Sequence, residues 1–241
     1  MPDLDTTLPV ATTTDPSVTG ADIAVLPIGS FEQHGPHLPL ITDTLIAATI
    51  ARAVSQRHQL LELPPLTITC SHEHAAFAGT VSISANTLTA VIDDITYSLA
   101  QQGIHRILLV NAHGGNYVLS NIVQQATTAH PCMAIYPTSA DWTQARTVAG
   151  ITSSSHDDMH AGELETSILL AAHPGYRREG WQHDDHHAPD RPHLITLGVR
   201  AYTSSGVIGY PSAATAAKGH AVINQLAANS DSIIKILRTS T

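Results

Sequence analysis

Residues Ile23–Gly29 read IAVLPIG, a continuous apolar run closed by a glycine. A run without polar alternation is what a strand covered on both faces requires, since neither set of its side chains meets water. Outward from it, Thr44–Arg57 carries Leu45, Ala48, Ala51 and Val54 at helical spacing. Leu63–Cys70 (LPPLTITC) predicts a strand entered through two prolines. Asn86–Gln102 sets Leu88, Val91, Ile92, Ile95 and Leu99 on one helical face, with Gly103 as the stop. Arg106–Asn111 (RILLVN) predicts another buried strand, Asn116–Thr128 the helix after it, and Met133–Tyr136 a further short strand. Helices follow over Gly162–Ala172 and Ala213–Leu237, and the polar, His/Asp-rich stretch Arg177–Pro192 reads as a surface loop. Strand–helix alternation of this kind predicts an α/β fold: a single-domain three-layer sandwich around a mostly parallel central sheet. The Thr/Pro/Asp-rich residues 1–20 read as a lead-in, and 21–241 as one domain without repeats or linkers.

Composition narrows the function. The 241 residues suffice for a sizeable core, and they are 43% apolar but only 13% charged. A net charge of −9 argues against a nucleic-acid partner or an anionic membrane surface. No apolar run approaches the roughly 20 residues of a membrane span, and none near the start resembles a signal-peptide core. Cys70 and Cys132 lie in apolar, strand-like surroundings and read as buried free thiols, which suits a cytoplasmic protein. The 16 histidines, against 11 Lys and Arg together, are the oddity.

Ligands of an open α/β sheet sit beyond the carboxyl ends of its strands, and polar clusters concentrate there. After Ile28 comes GSFEQHGPHLPLITDT, with Glu32, His34, His37 and Asp43. After Thr69 comes CSHEHAAFAGT, with His72, Glu73 and His74; after Val110 comes NAHGGN, with His113. SHDDMHAGELETS opens the late helix with His156, Asp157, Asp158, His160, Glu163 and Glu165. Mixed carboxylates and imidazoles are ligands that zinc and manganese accept, and two-metal hydrolases bridge their ions with one carboxylate. Glu32 and His34, two apart on an extended segment, can point the same way, and Asp43 can serve as the bridge. Bland readings compete: His37, His72 or His74 taken singly is an ordinary loop histidine, Asp43 can cap a helix, and Gly114–Gly115 can be a tight turn.

GSFEQHGPHLPLITDT, SHEHAAFAGTVSIS, NAHGGN and HAGELETS, in this order and with the later GVIGYPSAATAAKG, resemble the creatininase (creatinine amidohydrolase) family from about Ile23 to Gly219. The resemblance implies a compact α/β fold, two divalent metal ions (zinc, manganese or iron) and hydrolysis of a carbon–nitrogen bond. By position it makes Glu32 and His34 ligands of one ion each, Asp43 the bridge, His113 a further ligand and His160 the catalytic histidine. Creatininase itself has a glutamate ligand where this chain has Gly115, and Glu165 is then the replacement ligand. Met159 stands where creatininase has a glutamate. Both departures point away from creatinine as substrate. Glu73, His74 and Gly114 are placed next to the substrate or behind the ligands, and Trp142 against the pocket wall or in packing.

A metal-dependent amidohydrolase acting on the amide, cyclic amide or formamide of a small molecule ranks first. The family branch that trims a mycofactocin precursor peptide ranks second, supported by FAGT and the length, while HAGELETS departs from the branch's HAGRTETS. A non-catalytic metal scaffold ranks third, because the ligand set and His160 are all present. The resemblance also implies a homo-oligomer, commonly a hexamer. His183, His186, His187 and His193 form a separate group outside these motifs, at a pocket mouth, an oligomer contact or a solvated loop.

Overall fold

The computed structural model describes residues 8–239. Ala24–Ile28 (β1), Leu61–Glu62 (β2), Ile107–Asn111 (β3) and Met133–Tyr136 (β4) form one sheet in the order β2-β1-β3-β4, and every pairing is parallel. The helices are α1 (Pro16–Thr19), α2 (Thr42–His58), α3 (Ala85–Ala100), α4 (Val118–Ala126), α5 (Ser139–Val148), α6 (Glu163–Ala172), α7 (Leu194–Leu197) and α8 (Ala216–Thr239).

Because successive strand residues face opposite ways, each strand feeds two cores. Val25, Leu108, Val110 and Tyr136 pack with Ile46 and Ile50 of α2, Ile168 of α6 and Leu226 of α8. On the other face Leu26, Ile28, Ile107 and Leu109 pack with Leu88 and Ile92 of α3 and Leu119 of α4. Each fully buried aliphatic side chain contributes about 1.5–3 kcal/mol, so the two layers of helices bind the sheet from both sides. The Tyr136 hydroxyl, in the same core, donates to the Leu226 carbonyl. The architecture is the expected three-layer α/β sandwich.

Three details differ from the sequence reading. Leu63–Cys70 is not a full strand: β2 ends at Glu62, and only Leu66 bridges to Ile28. Pro64 and Pro65 lack the N–H groups that a ladder needs, so the segment follows β1 through the Leu63 and Leu66 amides, both at 2.9 Å, and the Leu66 carbonyl, which accepts from the Gly29 amide at 3.0 Å. Helix α5 was not foreseen, because its sequence SADWTQARTV has only a sparse apolar stripe. What starts it is a capping box, in which Thr138 accepts from the Asp141 amide and Asp141 from the Thr138 amide. Cys132 is part-exposed instead of buried, whereas Cys70 is buried; both are free thiols.

The start of α2 is held against the end of β1. A Cβ built on Gly29 would overlap the backbone of Thr44, so only glycine permits this approach. Asp43 therefore lies in the first turn of α2, over the carboxyl end of the sheet, and does not cap the helix. Residues 1–7 of the lead-in lie outside the described residues; in the remainder, Leu8 accepts from Arg52 at 2.9 Å. Among the described residues no helix is long and apolar enough to cross a membrane.

Candidate metal centre

The loops after β1 and β3, the turn at His72–His74 and the start of α6 converge at one end of the sheet. Asp43 sits between two imidazoles: its Oδ1 is 3.0 Å from His34 Nε2 and its Oδ2 is 3.0 Å from His113 Nδ1. Glu32 flanks His113, with Oε2 3.2 Å from Nε2, and Glu165 flanks His34, with Oε2 3.8 Å from Nε2. Two donor groups result, Glu32/Asp43/His113 and His34/Asp43/Glu165, each with its ligating atoms within 4.8 Å and with Asp43 common to both. A third group, Glu32/His34/His160, meets the same limit.

Backbone carbonyls select which imidazole nitrogen faces the cluster. His34 Nδ1–H donates to the Glu32 carbonyl at 3.1 Å, leaving Nε2 toward Asp43 and Glu165. His113 Nε2–H donates to the Cys70 carbonyl at 2.9 Å, leaving Nδ1 toward Asp43. His160 Nε2–H donates to the Gln33 carbonyl at 2.6 Å, leaving Nδ1 3.8 Å from Glu32 Oε1. Such backbone contacts are how proteins fix the tautomer of a ligating histidine.

Gln33 was not singled out in the sequence, although it lies inside the GSFEQHG motif. Its Nε2 donates to His74 Nδ1 at 2.8 Å, which turns His74 Nε2–H toward Glu32 Oε1 at 3.3 Å. Ser30, also missed, donates its hydroxyl to Asp43 Oδ2 at 2.7 Å. Asp158 receives the amides of Glu163 and Leu164 and so anchors the start of α6, and the buried Arg146 holds Asp158 at 3.0 Å. Their signal in the sequence was adjacency to the motifs, which does not separate them from packing.

Other expected residues fall elsewhere. His37 is buried but turned away, its Nδ1 3.1 Å from Asp184 and its Nε2 3.2 Å from the Thr166 hydroxyl. His72 is exposed. Gly114 lines a cavity of about 140 Å³ with Glu32, Asp43, Glu73, His113 and His160. Glu73 Oε1 lies 3.6 Å from His113 Nε2, and a Cβ on Gly115 would collide with both atoms. The Glu73 carboxylate thus occupies the space that a side chain at position 115 would need. Trp142 packs against the core beside a separate cavity, not this one. The His183, His186, His187 and His193 group also stays off it; His186 donates to the Tyr202 carbonyl at 2.9 Å, and Tyr210 hydrogen-bonds His187.

The electrostatics are those of a site that favours positive charge. Burial opposes a charged His34, yet Asp43, with Glu165 and Glu32, raises it to about 9. Burial likewise opposes a charged His113, and Glu32 and Asp43 hold it well above its usual value. Burial favours a neutral Asp43 but His34 and His113 prevail and push it well down. Burial raises Glu165 to about 7. His160 runs the other way: burial, then His34 and His74, hold it well below the ordinary imidazole range. Burial lifts Glu73 above the usual carboxylate range. Glu32 is fully buried and, among the described residues, neither carboxylate oxygen has a hydrogen-bond partner. A carboxylate buried without hydrogen bonds calls for neighbouring positive charge, and the mixed N/O donors around it suit zinc or manganese. The residues fit a metal centre.

One backbone feature shapes this corner. Ala161, between His160 and Gly162, is buried and has a left-handed φ of 51°. Its amide donates to Glu165 Oε2 at 2.7 Å, so one turn sets both the histidine and the glutamate.

Residues 11–234 match the family model described as Creatininase: Creatinine amidohydrolase. The mycofactocin precursor peptide peptidase of Mycobacterium tuberculosis is 37% identical over 216 residues, covering 82% of this chain and 78% of that protein. The creatinine amidohydrolase of Pseudomonas putida is 32% identical over 102 residues, 40% of this chain and 39% of that one. A solved structure described as Creatininase Mn superposes with a TM-score of 0.77 at 22% identity, over 91% of this chain and 92% of that one. The fold is that of creatininase, and the chain belongs to the creatininase family of hydrolases.

Proposed function

We propose that this protein uses two divalent metal ions to hydrolyse a carbon–nitrogen bond of an amide. The observation that carries the reading is the buried Glu32 carboxylate without hydrogen-bond partners, set among Asp43, His34, His113 and Glu165. Glu32 and His113 would hold one ion, His34 and Glu165 the other, with Asp43 shared. Ions in such a set supply Lewis acidity and a water activated at neutral pH. Ser30, hydrogen-bonded to Asp43, keeps the shared carboxylate in place. His160, uncharged and with Nδ1 free of its backbone contact, takes a proton at that nitrogen and passes it to the departing amine. Glu73 and His74 line the approach and orient the scissile amide, and Gly114 leaves room for it. Zinc, manganese and iron all suit the donors.

A small-molecule amide fits the cavity of about 140 Å³. The peptide reading is favoured by a specific observation: the peptidase relative matches over twice the length of the creatinine amidohydrolase, 216 residues against 102. We place the protein in the cytoplasm, as a homo-oligomer with residues 21–241 forming one catalytic domain behind a short lead-in.

Elemental analysis and turnover test this reading together. Protein stripped with a chelator and reloaded with zinc or manganese should bind two ions per chain and hydrolyse a member of a panel of amides, formamides and short peptides. Asp43→Ala should lose both ions and the activity. Two ions in the variant, or a fully loaded wild type inert across the panel, would sink the proposal.

A further inference from the structure

The ring of His113 has a choice of acceptors. Its Nε2–H donates to the Cys70 carbonyl at 2.9 Å, but Glu32 Oε2 lies 3.2 Å and Glu73 Oε1 3.6 Å from the same nitrogen. A hydrogen bond to Glu32 would engage the carboxylate that is to hold an ion. Hydrogen bonds to carboxylates are the stronger kind, so a neutral carbonyl keeps the proton only where the backbone holds it close.

Asn116 supplies that hold. It is 4% exposed and stands three residues after His113 in NAHGGN. Its Oδ1 accepts from the Cys70 amide at 3.2 Å. Its Nδ2 donates to Asn111 Oδ1 at 3.0 Å and to the Gly29 carbonyl at 3.3 Å. Asn111 Nδ2 donates in turn to the His113 carbonyl at 2.8 Å. The bonds close a circuit, from the His113 ring to Cys70, from Cys70 to Asn116, and through Asn111 back to the His113 backbone. The circuit ties the ends of β1 and β3 to the segment before His72, at the place where the orientation of the imidazole is decided. It does not extend to the other donor group, in which the Glu32 carbonyl sets His34 and the Ala161 amide sets Glu165.

We propose that Asn116 is a positioning residue for one of the two ions. Acting through Cys70, it keeps the His113 Nε2 proton on the backbone, so that Nδ1 faces Asp43 and Glu32 stays open to a cation. Contacts of this kind behind a ligating histidine are worth about 10–100-fold in metal affinity. The effect is one-sided: the ion at Glu32 and His113 depends on Asn116, and the ion at His34 and Glu165 does not. The inference rests on the two-ion hydrolytic reading and adds that the two ions can be lost separately.

Calorimetric zinc titration, together with nitrogen–proton NMR spectra of ring-labelled histidine, tests it. Wild type should take two zinc ions, and the His113 Nε2–H should give a resonance protected from exchange in metal-free and zinc-loaded protein alike. Asn116→Ala should lose that resonance and bind one ion at least about tenfold more weakly, with the other unchanged. Asn116→Asp keeps an oxygen for the Cys70 amide and should restore both the resonance and the weakened ion. Thr69→Val removes a different brace of the same loops, the 2.6 Å bond from the Thr69 hydroxyl to the Gly29 carbonyl, and should leave ions and resonance as in wild type. The role of Asn116 is overturned if Asn116→Ala keeps the resonance, binds both ions as tightly as wild type or loses both. It is overturned equally if Thr69→Val shows the same losses. Should Asn116→Ala fail to fold, Asn116→Asp decides, since loss of the Nε2–H resonance there contradicts the proposal. Failure of wild type to bind two ions would instead overturn the hydrolytic reading, and the resonance in metal-free protein then judges Asn116 separately.

Discussion

Two parts of this molecule are rich in histidine, and they use it in opposite ways. At the end of the sheet His34, His74, His113 and His160 are all buried, and each turns a nitrogen toward Glu32 or Asp43. In the segment around His183–His193 the rings meet backbone carbonyls and tyrosine hydroxyls, as His186 meets Tyr202 and His187 meets Tyr210. His37 stands between the two regions: it is buried like the first group, but its Asp184 partner belongs to the second, so it fastens the segment to the core. Imidazole is common to both regions. What separates them is whether its second nitrogen faces a buried carboxylate, and that contact, not the number of histidines, marks a centre able to take cations.

The strongest way to break this contrast is at His160. His160→Ala should lower turnover by about 10²–10⁴-fold while both ions remain bound, as expected for a lost proton carrier. Loss of an ion in metal analysis would place His160 among the ligands instead, in line with its position near Glu32 and His34.

A smaller effect separates the regions by pH. His34 in the folded, metal-free protein is raised to about 9, above its unfolded value of 6.5. The stability it adds is therefore complete below pH 6.5 and lost as pH rises through about 9. His113, also raised, acts in the same direction, whereas His74 and His160, both lowered, are neutral in the folded protein throughout this window and lose their unfolded-state charge near its lower edge. The melting temperature of metal-free protein should fall between pH 6.5 and 9, and metal affinity should rise, because each cation displaces a proton from imidazole. A flat or rising melting temperature would contradict the assigned charges.

The least effect is expected in the second region. His186→Ala removes one hydrogen bond to a backbone carbonyl and should cost about 1 kcal/mol in denaturant unfolding, with kcat and metal content unmoved. A loss of turnover would tie the segment to the chemistry.

The sequence carried most of this fold, because continuous apolar runs such as IAVLPI and RILLVN state burial on both faces directly. It missed α5, whose start depends on a reciprocal Thr138–Asp141 cap and whose apolar stripe is thin. It overextended the strand after Leu63, since an apolar run does not reveal that Pro64 and Pro65 break the ladder. At the site, the clusters beyond strand ends were legible, and Glu32, His34, Asp43, His113 and Glu165 do come together. The work of Gln33, Ser30 and Arg146 was not, because each acts through a partner distant in sequence or through a hydrogen bond that no spacing rule specifies. The exchange between Glu73 and position 115 was hidden for the same reason: a missing side chain at one place is filled from a loop more than 40 residues earlier.

The left-handed turn at Ala161 has a bearing on how the protein comes apart. A residue with a Cβ in that conformation stores about 1–2 kcal/mol that the unfolded chain does not carry. Opening the turn releases this energy at the very point where His160 and Glu165 are set, which lowers the cost of opening this corner by about that amount. Bound cations holding Glu165 would act as the clasp on this spring-loaded corner, and amide exchange at Ala161 would report their departure before the sheet itself loosens.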